Sequence, residues 1–243
     1  MPELSVIIPT VKPRDEVECL EYLDRDSYDD YEVCLQSEAG ATVARNAGIE
    51  RASADKLVFL DDDSRPREGY LARMARLLDE ESVVAGRTVH PRDDIFRKHF
   101  TNHYDFGDNP RYVTRFWSCN MGIRRAVFEE VGGWDEGITW GHEEVELAER
   151  VLEAEPIYYD PELVVDHPYA ESISDYLHKL YRQETQRPYL WRKEGYSRRR
   201  QWLMIARSSL NPTNYVGFPL VPSLVRGAGT VAQNLGRING MFR

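Results

Sequence analysis

Short apolar runs alternate with amphipathic stretches over the first third of the chain. The apolar runs are residues 4–9, 31–35, 56–60 and 82–85. Each is bounded by a proline, a glycine or a polar residue, as is typical of buried strands. The stretches between them have helical spacing and are residues 17–23, 42–54 and 69–78. Continuous apolar strands that alternate with helices predict an α/β fold, with a mostly parallel sheet covered by helices on both faces.

The alternation breaks after residue 95. Residues 99–115 are polar, aromatic and rich in turn residues, so they are predicted to form a loop. Helices are predicted at 125–131 and 142–154, and two more short strands at 157–159 and 163–165. The chain is helical and basic from residue 172, whereas residues 216–242 mix glycine, proline and apolar side chains. We therefore predict an α/β domain at 1–170 and a basic, aromatic, mainly helical extension at 171–243.

The net charge of −10 is unevenly distributed. Residues 171–243 contain 12 Lys and Arg but only 4 Asp and Glu, a net charge of +8. Residues 1–170 keep 19 of the 31 basic and 37 of the 41 acidic residues, a net charge of −18. An acidic body with a basic extension disfavours nucleic acid as a partner and indicates that the extension meets an anionic surface.

The basic extension has two interpretations. Arginines interleaved with tyrosine and tryptophan over residues 181–200 are typical of a membrane interface. The alternative is a solvated helical appendage that packs on the α/β domain and mediates dimers. The sequence contains no basic leader and no apolar stretch long enough to span a bilayer, and its three cysteines form no metal or disulfide pattern. We therefore expect a cytoplasmic location, with a peripheral contact at the inner face of the membrane.

Three consecutive aspartates follow the third apolar run. Asp61, Asp62 and Asp63 come directly after Phe59-Leu60, where a parallel sheet presents its ligands. Adjacent carboxylates repel one another, so a run of three predicts a bound cation. Oxygen-rich sites suit Mg²⁺ or Mn²⁺, which also bind phosphate oxygens. The alternative is a strand-to-helix turn, in which Asp and Ser64 cap a helix.

An ordered set of motifs resembles glycosyltransferase family 2. The motifs are SVIIPT at 5–10, ARNAG at 44–48, FLDDD at 59–63, NMGIRR at 120–125, VGGWDE at 131–136, GHEEVEL at 141–147 and DHP at 166–168. The resemblance implies a GT-A fold and an inverting, metal-dependent sugar transfer. The donor would be a nucleoside-diphosphate sugar, and the acceptor a glycan or a lipid-linked hydroxyl or phosphate.

The resemblance also implies a metal site. Asp63 would bind a divalent Mn²⁺ or Mg²⁺, which bridges the donor diphosphate. Asp61 would contact the ribose or complete the metal shell, and Asp62 would lie within the donor-binding run as a bystander to the metal. His167, at the end of the last predicted strand, would be a further ligand, and imidazole suits Mn²⁺ better than Mg²⁺. The alternative for His167 is a hydrogen-bonded histidine at a strand end.

The general base is predicted in the GHEEVEL motif. Family members have Glu-Asp at a helix start here, and the aspartate takes the proton of the acceptor hydroxyl. This chain has Glu143-Glu144. The substitution leaves open which of the two acts, and we expect Glu144 to be the base and Glu143 to bind the acceptor or orient the loop. The alternative is that both only complement the helix dipole.

The resemblance implies two further groups of binding residues. The donor pocket would be formed by residues at the first two strand ends and in the early helix: Pro9, Thr10, Gln36, Glu38 and Arg45. Gln36 and Glu38 stand where many members have an Asp-Asp-Gly-Ser stretch, and Arg45 has the alternative of a solvated ion pair. The donor-sugar and acceptor edge would be formed by Asn120, Met121 and Trp140.

Two other functions compete with sugar transfer. A nucleotidyltransferase would need a phosphate loop rich in glycine and lysine after the first strand, and Pro9-Thr-Val-Lys-Pro13 is a poor version of one. A catalytically inactive sugar-nucleotide-binding homologue is the second alternative, because Glu144 and the second-strand region depart from the family pattern.

Overall fold

The computed structural model describes the backbone of residues 1–243 and every side chain except that of Asn102. Internal contacts divide the chain into two compact units. The first unit comprises Met1–Glu136 and Glu143–Pro168, and the second comprises Gly137–His142 and Tyr169–Arg243. The domain boundary at residue 170 stays a prediction.

The first unit contains a mixed sheet of eight strands. The strands are β1 (Leu4–Pro9), β2 (Tyr31–Gln36), β3 (Lys56–Phe59), β4 (Arg65–Pro66), β5 (Val83–Val89), β6 (Arg111–Val113), β7 (Met121–Arg124) and β8 (Ile157–Asp166). Their order is β2-β1-β3-β7-β5-β8-β4, with β6 pairing with β8. The pairs β1–β2, β1–β3 and β5–β8 are parallel, and the other four pairings are antiparallel. The sheet covered by helices is thus confirmed, but it is mixed, and its four antiparallel pairings outnumber the three parallel ones, so the prediction of a mostly parallel sheet is wrong.

Helices cover both faces of this sheet. The helices of the first unit are α1 (Glu18–Leu23), α2 (Ala41–Arg51), α3 (Tyr70–Glu80), α4 (Ile95–His99), α5 (Arg125–Val131) and α6 (Glu143–Ala154). Alternate strand residues enter two separate cores: Val58 packs with α1 and α3, whereas Phe59 packs with α5 and α6. This alternation follows from the pleat of a strand that is buried on both faces.

Three predictions of secondary structure are wrong in detail. The predicted loop at 99–115 contains β6 and a helical turn, Asn102–Tyr104. The two predicted strands at 157–159 and 163–165 are parts of one strand, β8, whose register with β5 shifts between Gly86 and Arg87. The central strand β7 was not predicted, because four residues that include a glycine carry too little periodicity to indicate a strand.

The second unit is helical. Its helices are α7 (Ile173–Glu184), α8 (Arg187–Lys193), α9 (Arg198–Leu210) and α10 (Leu220–Gly240). The long helix α10 lies in residues 216–242, for which no helix was predicted because glycine and proline are frequent there. Two of its glycines approach the C-terminal part of α7 closely: a Cβ on Gly236 would lie 2.3 Å from the carbonyl oxygen of Tyr181, and one on Gly240 would lie 2.1 Å from that of Thr185, which follows α7. Glycine here serves close helix packing rather than helix termination. No helix in the described part of the chain is long and apolar enough to cross a membrane.

Candidate active site

The aspartate run forms a tight turn at the carboxyl end of β3. The amide of Ser64 donates to the carbonyl of Asp61, and the Ser64 hydroxyl accepts from the Asp61 amide at 3.1 Å. That hydroxyl donates in turn to the carbonyl of Cys119 at 3.2 Å. Ser64 is fully buried, so the turn is fixed to the segment that enters β7. The backbone therefore holds the three carboxylates in set directions.

The three carboxylates point to different partners. Nε2 of His167 lies 3.1 Å from Asp63 Oδ1 and 3.5 Å from Asp61 Oδ2. Asp62 turns the other way, where it accepts from the Thr10 hydroxyl at 2.6 Å and from Lys12 Nζ at 2.8 Å. The structure thus brings together the three predicted metal residues, and it ties Asp62 to the loop that follows β1.

The charge around His167 favours a cation. Burial alone would lower the pKa of this imidazole, but hydrogen bonds to Asp61 and Asp63 outweigh it and raise the pKa to about 9. Two carboxylates therefore bind a proton on His167 tightly, and a divalent ion attracted by the same charge would have to displace that proton. The other ring nitrogen, Nδ1, is buried and has no hydrogen-bond partner.

Cys119 is close to this cluster and was not predicted. Its Sγ, a carboxylate oxygen of Asp61 and a ring nitrogen of His167 all lie within 4.8 Å of one another. Burial raises the pKa of the Cys119 thiol well above its ordinary value, and Thr88 lies 3.8 Å from its sulfur. A protonated, soft sulfur fits Mg²⁺ or Mn²⁺ poorly, whereas two carboxylates and an imidazole suit Mn²⁺. By the chemistry of their donors, Asp61, Asp63 and His167 fit such a metal, whereas the three residues whose ligand atoms lie within 4.8 Å of one another include Cys119 and not Asp63.

Arg45 is buried at the centre of the site. Its guanidinium donates to Asp61 Oδ1 at 3.2 Å, to Glu143 Oε1 at 3.2 Å and to the Ser118 hydroxyl at 2.8 Å. The ring of Trp134 lies 5.0 Å below it. The alternative of a solvated ion pair is therefore wrong, because the side chain of Arg45 is only 4% exposed. A buried arginine with two carboxylate partners ties the end of β3 to the start of α6.

The two glutamates at the start of α6 have different surroundings. Glu143 is buried and pairs with Arg45, and its second oxygen has no hydrogen-bond partner. Glu144 is partly exposed and accepts from the Ser118 hydroxyl at 3.0 Å. Burial and the neighbouring Glu143 raise the pKa of Glu144 from 4.5 to about 7. A carboxylate with a pKa near neutrality and access to solvent suits a general base.

Hydrogen bonds also link the two halves of the site. Burial would raise the pKa of Asp61, but its contacts with His167 and Arg45 prevail and lower it to about 2, so Asp61 is an anion. From Asp61 the path runs through Arg45 to Ser118, whose hydroxyl donates to Glu144. No signal in the sequence pointed to Ser118, since a serine just before an unpredicted strand has no motif of its own.

The residues predicted to form the donor pocket do not all share one place. Thr10, at the end of β1, contacts Asp62, as described above, and Pro9 precedes it in the strand. Gln36, at the end of β2, is buried and accepts from Arg51. Glu38 forms a 3.0 Å ion pair with the same arginine. Arg51, which the sequence did not single out, therefore binds one oxygen of Gln36 and one of Glu38, whereas the second Glu38 oxygen has no hydrogen-bond partner. The nucleotide contact of Gln36 and Glu38 stays a prediction.

Asn120 and Met121 are interior residues of the sheet. The Asn120 amide donates to the carbonyls of Arg87 and Leu163, at 2.9 and 3.1 Å, and its oxygen accepts from the Tyr70 hydroxyl at 3.0 Å. Met121 belongs to the core that α5 and α6 cover. Both side chains are 0% exposed, so the direct sugar contact predicted for them is not available. The sequence could not reveal this, because β7 itself was not predicted.

Replacing Asn120 by alanine is therefore expected to destabilise the fold. The change leaves two carbonyls and a buried hydroxyl without partners, and we expect it to lower the free energy of unfolding by about 2–4 kcal/mol in urea titrations. Asn109→Ala, at an exposed loop position, is the control and should change it by less than about 0.5 kcal/mol. Unchanged stability together with a raised KM for donor or acceptor would instead support a sugar contact.

Trp140 belongs to the second unit. The guanidinium of Arg182 lies 4.8 Å from the centre of its ring, and the ring is partly exposed. Gly141 follows with a φ of +81°, and a Cβ there would lie 2.5 Å from the Gln183 side chain. The loop before α6 is thus held against α7 within this unit. The acceptor contact of Trp140 stays a prediction.

Comparisons with known proteins agree with this architecture. The sequence model described as Glycosyl transferase family 2 matches residues 12–132. A glucosyl-dolichyl phosphate glucuronosyltransferase of Haloferax volcanii is 24% identical over an alignment of 203 positions, which covers 75% of this chain and 62% of that protein. A pre-mycofactocin glycosyltransferase of Mycobacterium tuberculosis is 27% identical over an alignment of 164 positions, which covers 57% of this chain and 32% of that protein. The chain thus spans less than two thirds of the length of these relatives.

The fold has solved counterparts as well. The crystal structure of GalNAc-T7 with UDP, GalNAc and Mn²⁺ superposes with a TM-score of 0.54 at 14% identity, covering 68% of this chain and 43% of that one. The sheet order, the aspartate turn after β3 and the acidic start of α6 define a GT-A fold of the glycosyltransferase class. Within that class, the chain belongs to glycosyltransferase family 2.

Proposed function

We propose that the first unit catalyses an inverting transfer of a sugar from a nucleoside-diphosphate sugar to an acceptor hydroxyl, with a divalent metal as cofactor. The observation that carries this proposal is the hydrogen-bonded path from Asp61 through Arg45 and Ser118 to Glu144. It joins carboxylates suited to a metal with a carboxylate suited to proton removal. Sugar transfer needs both functions at once.

The metal would be held by Asp61, Asp63 and His167. When bound there, it supplies positive charge that offsets the charge developing on the leaving diphosphate. Arg45 keeps the Asp61 carboxylate oriented through its 3.2 Å contact, and Ser64 keeps the turn closed. Manganese fits this set better than magnesium, because imidazole is an acceptable ligand for Mn²⁺.

Glu144 would act as the general base. Its carboxylate takes the proton of the acceptor hydroxyl while that oxygen forms a bond to the anomeric carbon and the bond to the diphosphate breaks. Attack on the face opposite to the leaving group inverts the anomeric configuration. Glu143 and Arg45 are positioning residues, since their ion pair fixes the first turn of α6.

A glycan or a lipid-linked sugar is the proposed acceptor. The name of the Haloferax volcanii relative specifies glucosyl-dolichyl phosphate, and this support comes by similarity alone. The arginines and aromatic side chains of residues 181–200 are proposed to contact an anionic membrane from the cytoplasmic side, which the net charge of +8 over residues 171–243 supports.

The alternatives have weaker support. A nucleotidyltransferase would use the lysine after β1 on a phosphate, but Lys12 Nζ is bound to Asp62 at 2.8 Å. An inactive homologue would need no base, yet the surroundings of Glu144 raise its pKa to about 7. Sugar transfer accounts for both observations.

A thermal-shift screen of nucleotides and nucleotide sugars, with and without Mn²⁺, tests the proposal. A donor at 100 times its Kd stabilises the native state by about 2.7 kcal/mol, which raises the Tm of a chain of this size by roughly 5–10 °C. We expect this rise to require Mn²⁺ and to be lost in Asp63→Ala. The proposal fails if no nucleotide sugar raises the Tm, or if EDTA leaves the rise intact.

A further inference from the structure

An uncharged hairpin connects the last two helices of the second unit. We use this name for residues 208–225, which contain no Asp, Glu, Lys, Arg or His and are bounded by Arg207 and Arg226. The hairpin includes the end of α9, a helical turn at Pro212–Asn214 and the first turns of α10. Eighteen residues without charge are unusual in a chain of which 30% is charged.

Apolar side chains of the hairpin face solvent. Leu210, Leu220 and Leu224 are 80%, 75% and 65% exposed. The other large apolar side chains with exposed surface in the hairpin are Tyr215, Val216, Phe218 and Val221. Single exposed leucines are common, but several exposed large apolar side chains in a segment without charge are typical of a surface that meets a partner.

Three polar side chains of the hairpin donate to carbonyls within it, and the hydroxyls of Ser208 and Ser209 bond to neighbouring residues of α9 and α10. The Tyr215 hydroxyl donates to the carbonyl of Ser209 at 2.7 Å, and the Asn214 amide donates to that of Ser208 at 2.8 Å. The Ser223 hydroxyl donates to the carbonyl of Phe218 at 3.0 Å. Because these bonds are internal, the hairpin can enter an apolar medium at low desolvation cost.

Positive charge surrounds the hairpin in sequence. Residues 195–243 contain seven arginines and no aspartate or glutamate. The Arg226 guanidinium lies 4.7 Å from the centre of the Phe218 ring, so one of these charges borders the apolar group directly. A group of apolar side chains bordered by arginine and tyrosine matches the depth profile of a bilayer, in which acyl chains lie beneath anionic headgroups.

We propose that the uncharged hairpin inserts its apolar side chains into the surface of an anionic bilayer. Pairing of two such hairpins from two copies of the chain fits less well, because it would bring two positive segments together. The proposal deepens the peripheral membrane contact suggested above and rests on it, but it names the hairpin, not residues 181–200, as the inserting part. It is independent of the sugar-transfer chemistry.

Vesicle co-sedimentation of the full-length chain tests this proposal. The vesicles are pure phosphatidylcholine or a mixture with phosphatidylglycerol, and no donor is added. The test variant carries Leu210→Gln, Leu220→Gln and Leu224→Gln. The control carries Val231→Gln and Leu235→Gln, which change exposed apolar residues of the same helix outside the hairpin. Light scattering after gel filtration gives the mass of each protein, and nucleotide-sugar hydrolysis in solution is measured in parallel.

We expect the wild type and the control to bind the anionic vesicles, and the triple variant to bind at least about tenfold more weakly. Binding to pure phosphatidylcholine should be weaker for all three proteins, because the arginines then lose their partners. Unchanged hydrolysis by the triple variant shows that it is folded. If all three proteins fail to hydrolyse nucleotide sugars but bind vesicles as expected, the proposed function is contradicted and membrane insertion by the hairpin is not.

Four results would overturn the inference. The first is a wild type that does not bind either vesicle, and the second is equal binding of the triple variant and the wild type. The third is a wild-type dimer that becomes a monomer in the triple variant without any vesicle binding, which would assign the hairpin to a contact between copies. A loss in the control as large as that in the triple variant would also refute insertion by the hairpin.

Discussion

Replacing Glu144 by glutamine is expected to lower turnover by about 10²- to 10⁴-fold, the range for loss of a general base. Glutamine keeps the size of the side chain and can still accept from Ser118, but it cannot take a proton. The KM for the donor should change little, because Glu144 lies at the opposite end of the network from the aspartate turn. Steady-state kinetics of the wild type and the variant measure both values.

The pH dependence of the wild type follows from the same residue. Burial and Glu143 raise the pKa of Glu144 to about 7, so the carboxylate is protonated and inactive below that pH and becomes an effective base above it. Activity should therefore rise through pH 7. Since the ordinary pKa is 4.5, the folded state binds more protons between pH 4.5 and 7, and stability falls as pH rises through this window. Glu144→Gln removes that loss and should be no less stable than the wild type at pH 8.

Glu143→Gln is the matched comparison. Glu143 is buried against Arg45, so its replacement weakens an ion pair that holds α6 and should lower stability as well as activity. Its turnover should fall less than that of Glu144→Gln. Near-normal turnover of Glu144→Gln, with a severe loss in Glu143→Gln, would assign the base to Glu143 instead.

Asp63→Ala is expected to abolish metal-dependent turnover, with a loss of about 10²- to 10³-fold or more. The carboxylate that lies 3.1 Å from His167 is removed, while Asp61 keeps its contact with Arg45. Titration with Mn²⁺, followed by electron paramagnetic resonance or calorimetry, should show that this variant binds the ion much more weakly than the wild type. The fold should persist, because Asp63 is partly exposed.

Asp62→Ala tests whether Mn²⁺ affinity depends on particular carboxylates or on the total charge of the aspartate run. Its carboxylate contacts Thr10 and Lys12 and not His167, so Mn²⁺ affinity should stay near the wild-type value. Equal loss of Mn²⁺ binding in the two variants would show that total charge, not the direction of each carboxylate, determines affinity. Full activity of Asp63→Ala in the presence of Mn²⁺ would refute the metal assignment.

The strand ends of the site were predictable because a buried strand appears as an apolar run and its functional end as the polar residues that follow. The run at 56–60 is apolar on both faces and the aspartates follow at once, so β3 and its polar end are readable in one segment. The convergence of His167 on Asp61 and Asp63 depends on β8 ending beside β3's turn, and only the family resemblance suggested it. No local pattern relates residues about 100 positions apart.

The missed parts depend on tertiary packing. β7 is a short central strand whose Gly122 leaves room for Met74, since a Cβ there would lie 2.4 Å from the methionine sulfur. α10 contains glycines because it packs closely on α7, although glycine normally weakens a helix. In both places glycine disfavours a regular strand or helix in the local sequence, but close packing against a neighbouring element requires it.

The site differs from its prediction for the same reason. Arg45 was expected near the nucleotide or in solvent, and it proved to be the buried link between Asp61 and Glu143. Asn120 was expected at the sugar edge, and its side chain binds inside the sheet. A motif gives residue types in order, but the direction of each side chain is set by contacts that the sequence does not display.

The central claim is that this chain breaks the bond between a sugar and a nucleoside diphosphate with the help of a metal. The release of nucleoside diphosphate from a panel of nucleotide sugars, with Mn²⁺ or with EDTA, tests it most directly. The account predicts slow release from at least one donor in Mn²⁺, loss of that release in EDTA, and its return when Mn²⁺ is restored. Undiminished release in EDTA, or none from any donor in Mn²⁺, would contradict it.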